Sequence, residues 1–167
     1  PAGGARVGLG GGEDRGFAVV KDIGGATQFL LIPTERITGI ESPAVLEPGA
    51  TNYFAAAWRA RFLVEERAGR SLPRDWVGIA VNSEFARSQN QLHIHIDFGS
   101  AWTPFPVLLA GDRYSGIAVA GEDLDAVNPF DLLADGLPGA RAAMGRNTLV
   151  VVGAVLDDGR PGFIVLA

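Results

Sequence analysis

The two histidines of this 167-residue chain stand one residue apart, in the stretch QNQLHIHID from Gln89 to Asp97. In an extended strand alternate side chains point to opposite faces, so Leu92, Ile94 and Ile96 turn one way while His93, His95 and Asp97 turn the other. The aliphatic set enters a core and the polar set lines a surface. Three readings are open to the polar set. Packing can satisfy the histidines, although three successive polar positions on one face are seldom all satisfied that way. Two imidazoles and a carboxylate can hold a zinc ion. One neutral imidazole can attack phosphorus, since a free pKa of about 6.5 leaves it mostly deprotonated at neutral pH.

The rest of the composition narrows the class. Nineteen acids against fourteen bases give a net charge of -5, and no stretch gathers enough lysine or arginine to track a nucleic-acid backbone, so no nucleic-acid partner is expected. The absence of cysteine removes disulfides, thiolate catalysis and cysteine zinc sites. No apolar run reaches the roughly 18–20 residues of a membrane span and no signal-peptide pattern opens the sequence, so the chain as given reads as soluble. With 47% hydrophobic and 20% charged residues it is expected to be globular.

The elements that must position the histidines follow from periodicity and turn chemistry. Residues 1–15 are glycine-dense and read as a flexible lead-in; Gly8-x-Gly10 meets Glu13 where a dinucleotide fingerprint needs its third glycine. Gly16 to Ile23 and Gln28 to Pro33 form a β-hairpin across Gly24-Gly25. Thr51 or Asn52 caps a helix running to about Arg67, with Phe54, Trp58 and Phe62 on one core face. Trp76 to Val81 and Leu92 to Phe98 are strands joined by a polar connection. Tyr114 to Ala120 is a strand, Pro129 to Met144 an interrupted helix, and Thr148 to Leu156 with Gly162 to Ala167 a second hairpin. Hairpins outnumber helical crossovers, which predicts an α+β domain over 16–167. Its first half, 16–98, carries the motif and its second half, 101–167, completes the sheet, a grammar that suggests a pseudo-duplicated β-β-α-β-β unit.

The stretch V-N-S-E-F-A-R-S-Q-N-Q-L-H-I-H-I-D resembles the signature of the histidine-triad (HIT) superfamily, with Asn82, Gln89 and His93 at its spacing. V-V-K-D-I and Q-F-L-L-I-P are similar to that superfamily's paired strands. H-x-H-x-D is also similar to the metallo-β-lactamase motif, but the histidine that follows there is Phe98 here. A narrower likeness is carried by Q-F-L-L-I-P-T-x-R-I-T-G-I-E-S-P, Y-F-x-x-A-W-x-A-R-F, Q-N-Q-L-H-I-H-I-D and W-T-P-F-P-V-x-L-A-G-x-R-Y. Together these blocks resemble the CDP-diacylglycerol pyrophosphatase family from about Phe17 onward. Relatives carry a cysteine where Phe98 stands, a longer segment than 98–101, and an anchor and tail outside the span of this sequence.

The resemblance implies a HIT-like antiparallel sheet with flanking helices, and hydrolysis of CDP-diacylglycerol to CMP and phosphatidate at a membrane surface on the extracytoplasmic side. It implies no metal and no cofactor. His95 falls on the nucleophile, oriented by the backbone carbonyl of His93, and Asp22 on the residue that holds the ribose. Gln89 and Asn90 are then placed to donate to phosphate oxygens, Asn82 to brace the loop, and Arg87 and Lys21 to offset charge. Asp97 stands where many members have a third histidine; it either handles a proton or is a solvated strand-end carboxylate. A general HIT-type nucleotide hydrolase or transferase and a non-catalytic nucleotide-binding module remain as alternatives. A monomer or weak homodimer is expected.

Overall fold

The computed structural model describes residues 16–98 and 116–167. The expected lead-in, the W-T-P-F-P block and the start of the strand placed at Tyr114 lie outside them.

Among the described residues seven strands form one antiparallel sheet: β1 (Phe17–Lys21), β2 (Phe29–Pro33), β3 (Val77–Val81), β4 (Ile94–Phe98), β5 (Gly116–Ala120), β6 (Leu149–Val155) and β7 (Pro161–Leu166). Their spatial order is β1-β2-β4-β3-β6-β7-β5. The α+β class is therefore as the hairpin-rich grammar predicts, and both hairpins form where the turn residues put them. Alternation fixes the faces. Val19, Leu31, Ile79, Ile94 and Ile96 are fully buried, while Leu30, Ala80 and His95, neighbours across the strands, share the opposite and more open face.

Helices cover the buried face. Helix α1 (Tyr53–Arg59) packs on β2, β3 and β4, with all of Tyr53 to Trp58 buried. Asn52 caps it, accepting from the Ala55 N–H at 3.0 Å, and its own amide donates to the carbonyls of Leu124 and Val127. The helix expected to reach Arg67 breaks instead. The Trp58 carbonyl takes the Arg61 N–H at 3.2 Å and the Arg61 guanidinium at 2.9 Å, so the ladder tightens and a second helix, α2 (Phe62–Ala68), starts in a new direction. Phe62 consequently leaves the Phe54–Trp58 face and is 38% exposed. Trp76 likewise falls in a 3-10 turn, Arg74–Trp76, just before β3.

Helix α3 (Pro129–Gly136) is capped by Asn128 and gives way, after Gly139 in the left-handed region, to 3-10 turns at Ala140–Ala142 and Met144–Arg146. It packs on β6. Edge-to-face ring pairs, Phe54 with Phe130 at 5.0 Å and Trp58 with Phe163 at 4.8 Å, join α1 to α3 and to β7. No helix among the described residues is long and apolar enough to cross a membrane.

Candidate active site

The open face of β4 carries His93, His95 and Asp97, all half-buried, between Leu30 of β2 and Ala80 of β3. The two rings lie edge to face, 5.1 Å apart. His95 is gripped at both nitrogens: the Gln28 side-chain amide nitrogen sits 2.5 Å from Nδ1, and that of Asn82 3.4 Å from Nε2. Gln28 also donates to Asp22 Oδ2 at 2.7 Å, and Gly24 N–H donates to Asp22 Oδ1 at 3.2 Å. A chain of polar contacts thus runs from Asp22 through Gln28 to His95 and Asn82. The loop from Asp22 to Gln28 is closed by Lys21, whose ammonium donates to the carbonyls of Asp22 and Gly25 at 2.5 Å.

Burial lowers the pKa of His95 from the ordinary 6.5; the nearby His93 lowers it further, and Asp22 and Asp97 pull it back up less strongly. The uncharged form of the ring is thereby favoured. Its carbonyl-held orientation is not the expected one, however. His93, not His95, meets a backbone carbonyl, with Nδ1 2.8 Å from Gln91 O, whereas His95 Nδ1 meets the Gln28 amide. The reason is register: pairing of Leu30 with His95 brings the start of β2, and with it Gln28, beside the ring.

Asp97 turns to the hairpin loop. Its Oδ1 accepts from the Thr27 hydroxyl at 2.6 Å and from the Phe98 N–H at 2.8 Å. Arg87 forms a two-pronged pair with Glu41, at 2.5 and 2.7 Å, and donates to Asn90 Oδ1 at 3.3 Å. Its hydrogen bond and charge lower the Glu41 pKa, and Glu41 raises that of Arg87. Gln89 and Asn90 are exposed on the connection between β3 and β4. Gln91 anchors that connection by donating to the carbonyls of Pro33 and Glu35. The structure therefore joins Asp22, Asn82 and His95, sets His93 and Asp97 beside them, and ties Arg87 and Asn90 to Glu41. Among the described residues no cluster of three or more histidines and carboxylates has the arrangement of a metal site.

The sequence pattern places Gln28 at the start of a strand but marks neither it nor Thr27 as a neighbour of the histidine face. The available signal was that Gln28 shares the period-two parity of Leu30, but only the pairing of β2 with β4 reveals what it faces.

Comparison with known proteins agrees with the motif blocks. The chain matches the family model described as CDP-diacylglycerol pyrophosphatase over residues 12–98 and 97–167. It belongs to the CDP-diacylglycerol pyrophosphatase family. A curated relative of that name from Yersinia pestis is 40% identical over 168 residues, covering 91% of this chain. The chain spans 64% of that relative's length.

Proposed function

We propose that the chain hydrolyses the phosphoanhydride of CDP-diacylglycerol to CMP and phosphatidate through a covalent nucleotidyl-histidine on His95. The observation that carries the reading is a half-buried imidazole, its uncharged form favoured by burial, held between two side-chain amides on the open face of a sheet in a chain of this family. In the first step the His95 lone pair forms an N–P bond to the CMP-side phosphorus. The P–O bond to phosphatidate breaks, and its electron pair leaves on the phosphatidate oxygen. Phosphatidate is a stable anion and needs little acid assistance. Water then forms the new O–P bond of CMP, the N–P pair returns to the imidazole, and the proton of the water passes to solvent.

The remaining groups bind and position. Asp22 accepts from the ribose hydroxyls, Gln89 and Asn90 donate to phosphate oxygens, and Asn82 and His93 orient the ring. Lys21 and Asp97 hold the loop from Asp22 to Gln28 in shape, and Arg87 holds Asn90. Val20, Leu30, Ala80 and Val150 form a half-buried aliphatic row through His95, which supports an amphiphilic substrate met at a membrane surface; the extracytoplasmic side of that surface is proposed for the whole protein on the family resemblance alone.

The topology supports a HIT-like, pseudo-duplicated domain over 16–167. The order β2-β4-β3 is mirrored by β5-β7-β6, with helices between the first and second strand of each set. The second half thereby extends the sheet within one chain, which favours a monomer or weak dimer.

A second reading exchanges the histidines, because His93 has the carbonyl-held Nδ1–H that leaves an Nε2 lone pair free. Both are tested by incubating the chain with CDP-diacylglycerol in detergent, with and without EDTA, and mapping the quenched phosphoramidate. CMP release unchanged by chelator, with the adduct on residue 95 and turnover abolished in His95→Gly, is expected. An adduct on His93 exchanges the roles. Chelator-sensitive release sinks the metal-free mechanism, binding without release makes the chain a nucleotide module, and preference for dinucleoside polyphosphates removes the lipid substrate.

A further inference from the structure

We infer that Gln28 is a positioning residue that couples occupancy of Asp22 by a ribose diol to the tautomer of His95, so that the nucleophile is armed only when a nucleotide is bound. The inference rests on the reading of His95 as nucleophile and Asp22 as the ribose ligand.

The starting point is a conflict of donors. A neutral imidazole has one protonated and one unprotonated nitrogen, and so accepts one in-plane hydrogen bond. Amide nitrogens face both of its nitrogens, Gln28 at 2.5 Å and Asn82 at 3.4 Å. Asp22 decides between them. A carboxylate only accepts, so Asp22 Oδ2, 2.7 Å from Gln28 Nε2, holds the amide nitrogen inward. The second N–H of the same nitrogen then points at His95 Nδ1, which must be the acceptor. The ring proton consequently sits on Nε2, where an Asn82 amide turned by half a rotation offers its oxygen. In this state Nε2 has no lone pair with which to attack phosphorus.

Removing Asp22 from Gln28 reverses the preference. A vicinal diol presents two hydroxyl donors that can pair with a carboxylate's two oxygens, and in the proposed coupling the hydroxyl at Oδ2 replaces the Gln28 donor there. Gln28 is then free to turn its amide and offer Oε1 to Nδ1. The ring proton leaves Nε2 for water and a proton from water is taken up at Nδ1, with no change in net charge. Nε2 now carries the lone pair. The amide turn is a rotation about one side-chain torsion of a half-buried residue and requires no movement of the sheet.

His93 supplies an internal reference. Its Nδ1 faces the Gln91 carbonyl, an obligate acceptor, so its proton stays on Nδ1 whether or not Asp22 is occupied.

Nitrogen NMR of the 15N-histidine-labelled chain reads both tautomers, since its only histidines are these two. Without ligand, His93 is expected to be protonated at Nδ1 and His95 at Nε2. Saturating CMP is expected to move the His95 proton to Nδ1, whereas 2′,3′-dideoxy-CMP, with binding followed by its phosphorus signal, leaves it on Nε2. Gln28→Met is expected to bind CMP without the shift and to lose kcat with little change in KM, a split that general loosening of the loop does not give. Bound CMP with an unchanged His95, the same shift with the dideoxy nucleotide, or a shift retained in Gln28→Met overturns the coupling. Failure of CMP to bind removes the nucleotide reading and the coupling together. A normal shift in a chain that does not release CMP from CDP-diacylglycerol removes the proposed reaction and leaves the coupling standing.

Discussion

As the proposed nucleophile, the imidazole of His95 can attack phosphorus only while it is uncharged, and its surroundings extend that condition to lower pH. Burial and the neighbouring His93 outweigh the two carboxylates, so the folded ring has a lower pKa than a free one. The acid limb of kcat/KM for CMP release is therefore expected below pH 6.5, and in Asp22→Asn, which removes a raising influence, lower again. A limb at or above 6.5 in the wild type contradicts the assignment. The same shift acts on stability with a definite sign. Just below 6.5 the unfolded chain binds more protons than the folded one, so stability rises with pH there, is complete above 6.5, and is lost as pH falls toward the folded value.

At the scale of elements, the connection from β3 to β4 is held not only by Gln91 but by an ion pair lying beside a glycine. A Cβ added at Gly39 would come within 2.0 Å of Arg87 Nη1 and 2.7 Å of Glu41 Oε2, so the two side-chain ends must shift to make room for it. Arg87→Ala is expected to cost about 2 kcal/mol in urea unfolding, and Gly39→Ala less, because the ends of Arg87 and Glu41 can shift without parting completely. Because both act on the same pair, the double variant should lose about as much as Arg87→Ala alone; simple additivity would contradict the shared origin. The stability this pair supplies is present above pH 4.5 and is lost as pH falls through the lowered Glu41 value.

This scale also marks what the sequence made legible. The alternation of Leu92 to Asp97 put His93, His95 and Asp97 on one strand face and the aliphatic set in the core, as the structure has them. The helix break at Ala60–Arg61 was hidden because no glycine or proline marks it; a side chain reaching back to the Trp58 carbonyl makes it. Gln28 was hidden for a different reason: its contact with His95 spans 67 positions and depends on cross-strand register, which no local pattern encodes.

Across the whole molecule the two halves of the sheet are unequal in chemistry and joined in mechanics. β7 (PGFIVL) has no titratable side chain, while its mirror partner β4 (IHIDF) carries His95 and Asp97. Arg74 ties the halves together. Its guanidinium stacks on Trp58 at 4.8 Å and Phe163 at 4.4 Å, and it donates to the carbonyls of Gly121, Glu122 and Gly162. Burial lowers its pKa, with Arg61 nearby acting in the same direction. The strut fits only because β6 offers no side chain at Gly153, where a Cβ would lie 2.3 Å from Arg74 O and 2.6 Å from Trp58 Cη2. Gly153→Ala is therefore expected to cost about 3 kcal/mol, since neither a backbone carbonyl nor a fully buried indole can yield cheaply. Because β3 pairs directly with β6, the loss should lower the midpoint of one transition shared by far-ultraviolet circular dichroism and tryptophan fluorescence. Two separated transitions in the variant would mean that the strut, rather than the continuous sheet, makes the halves unfold together.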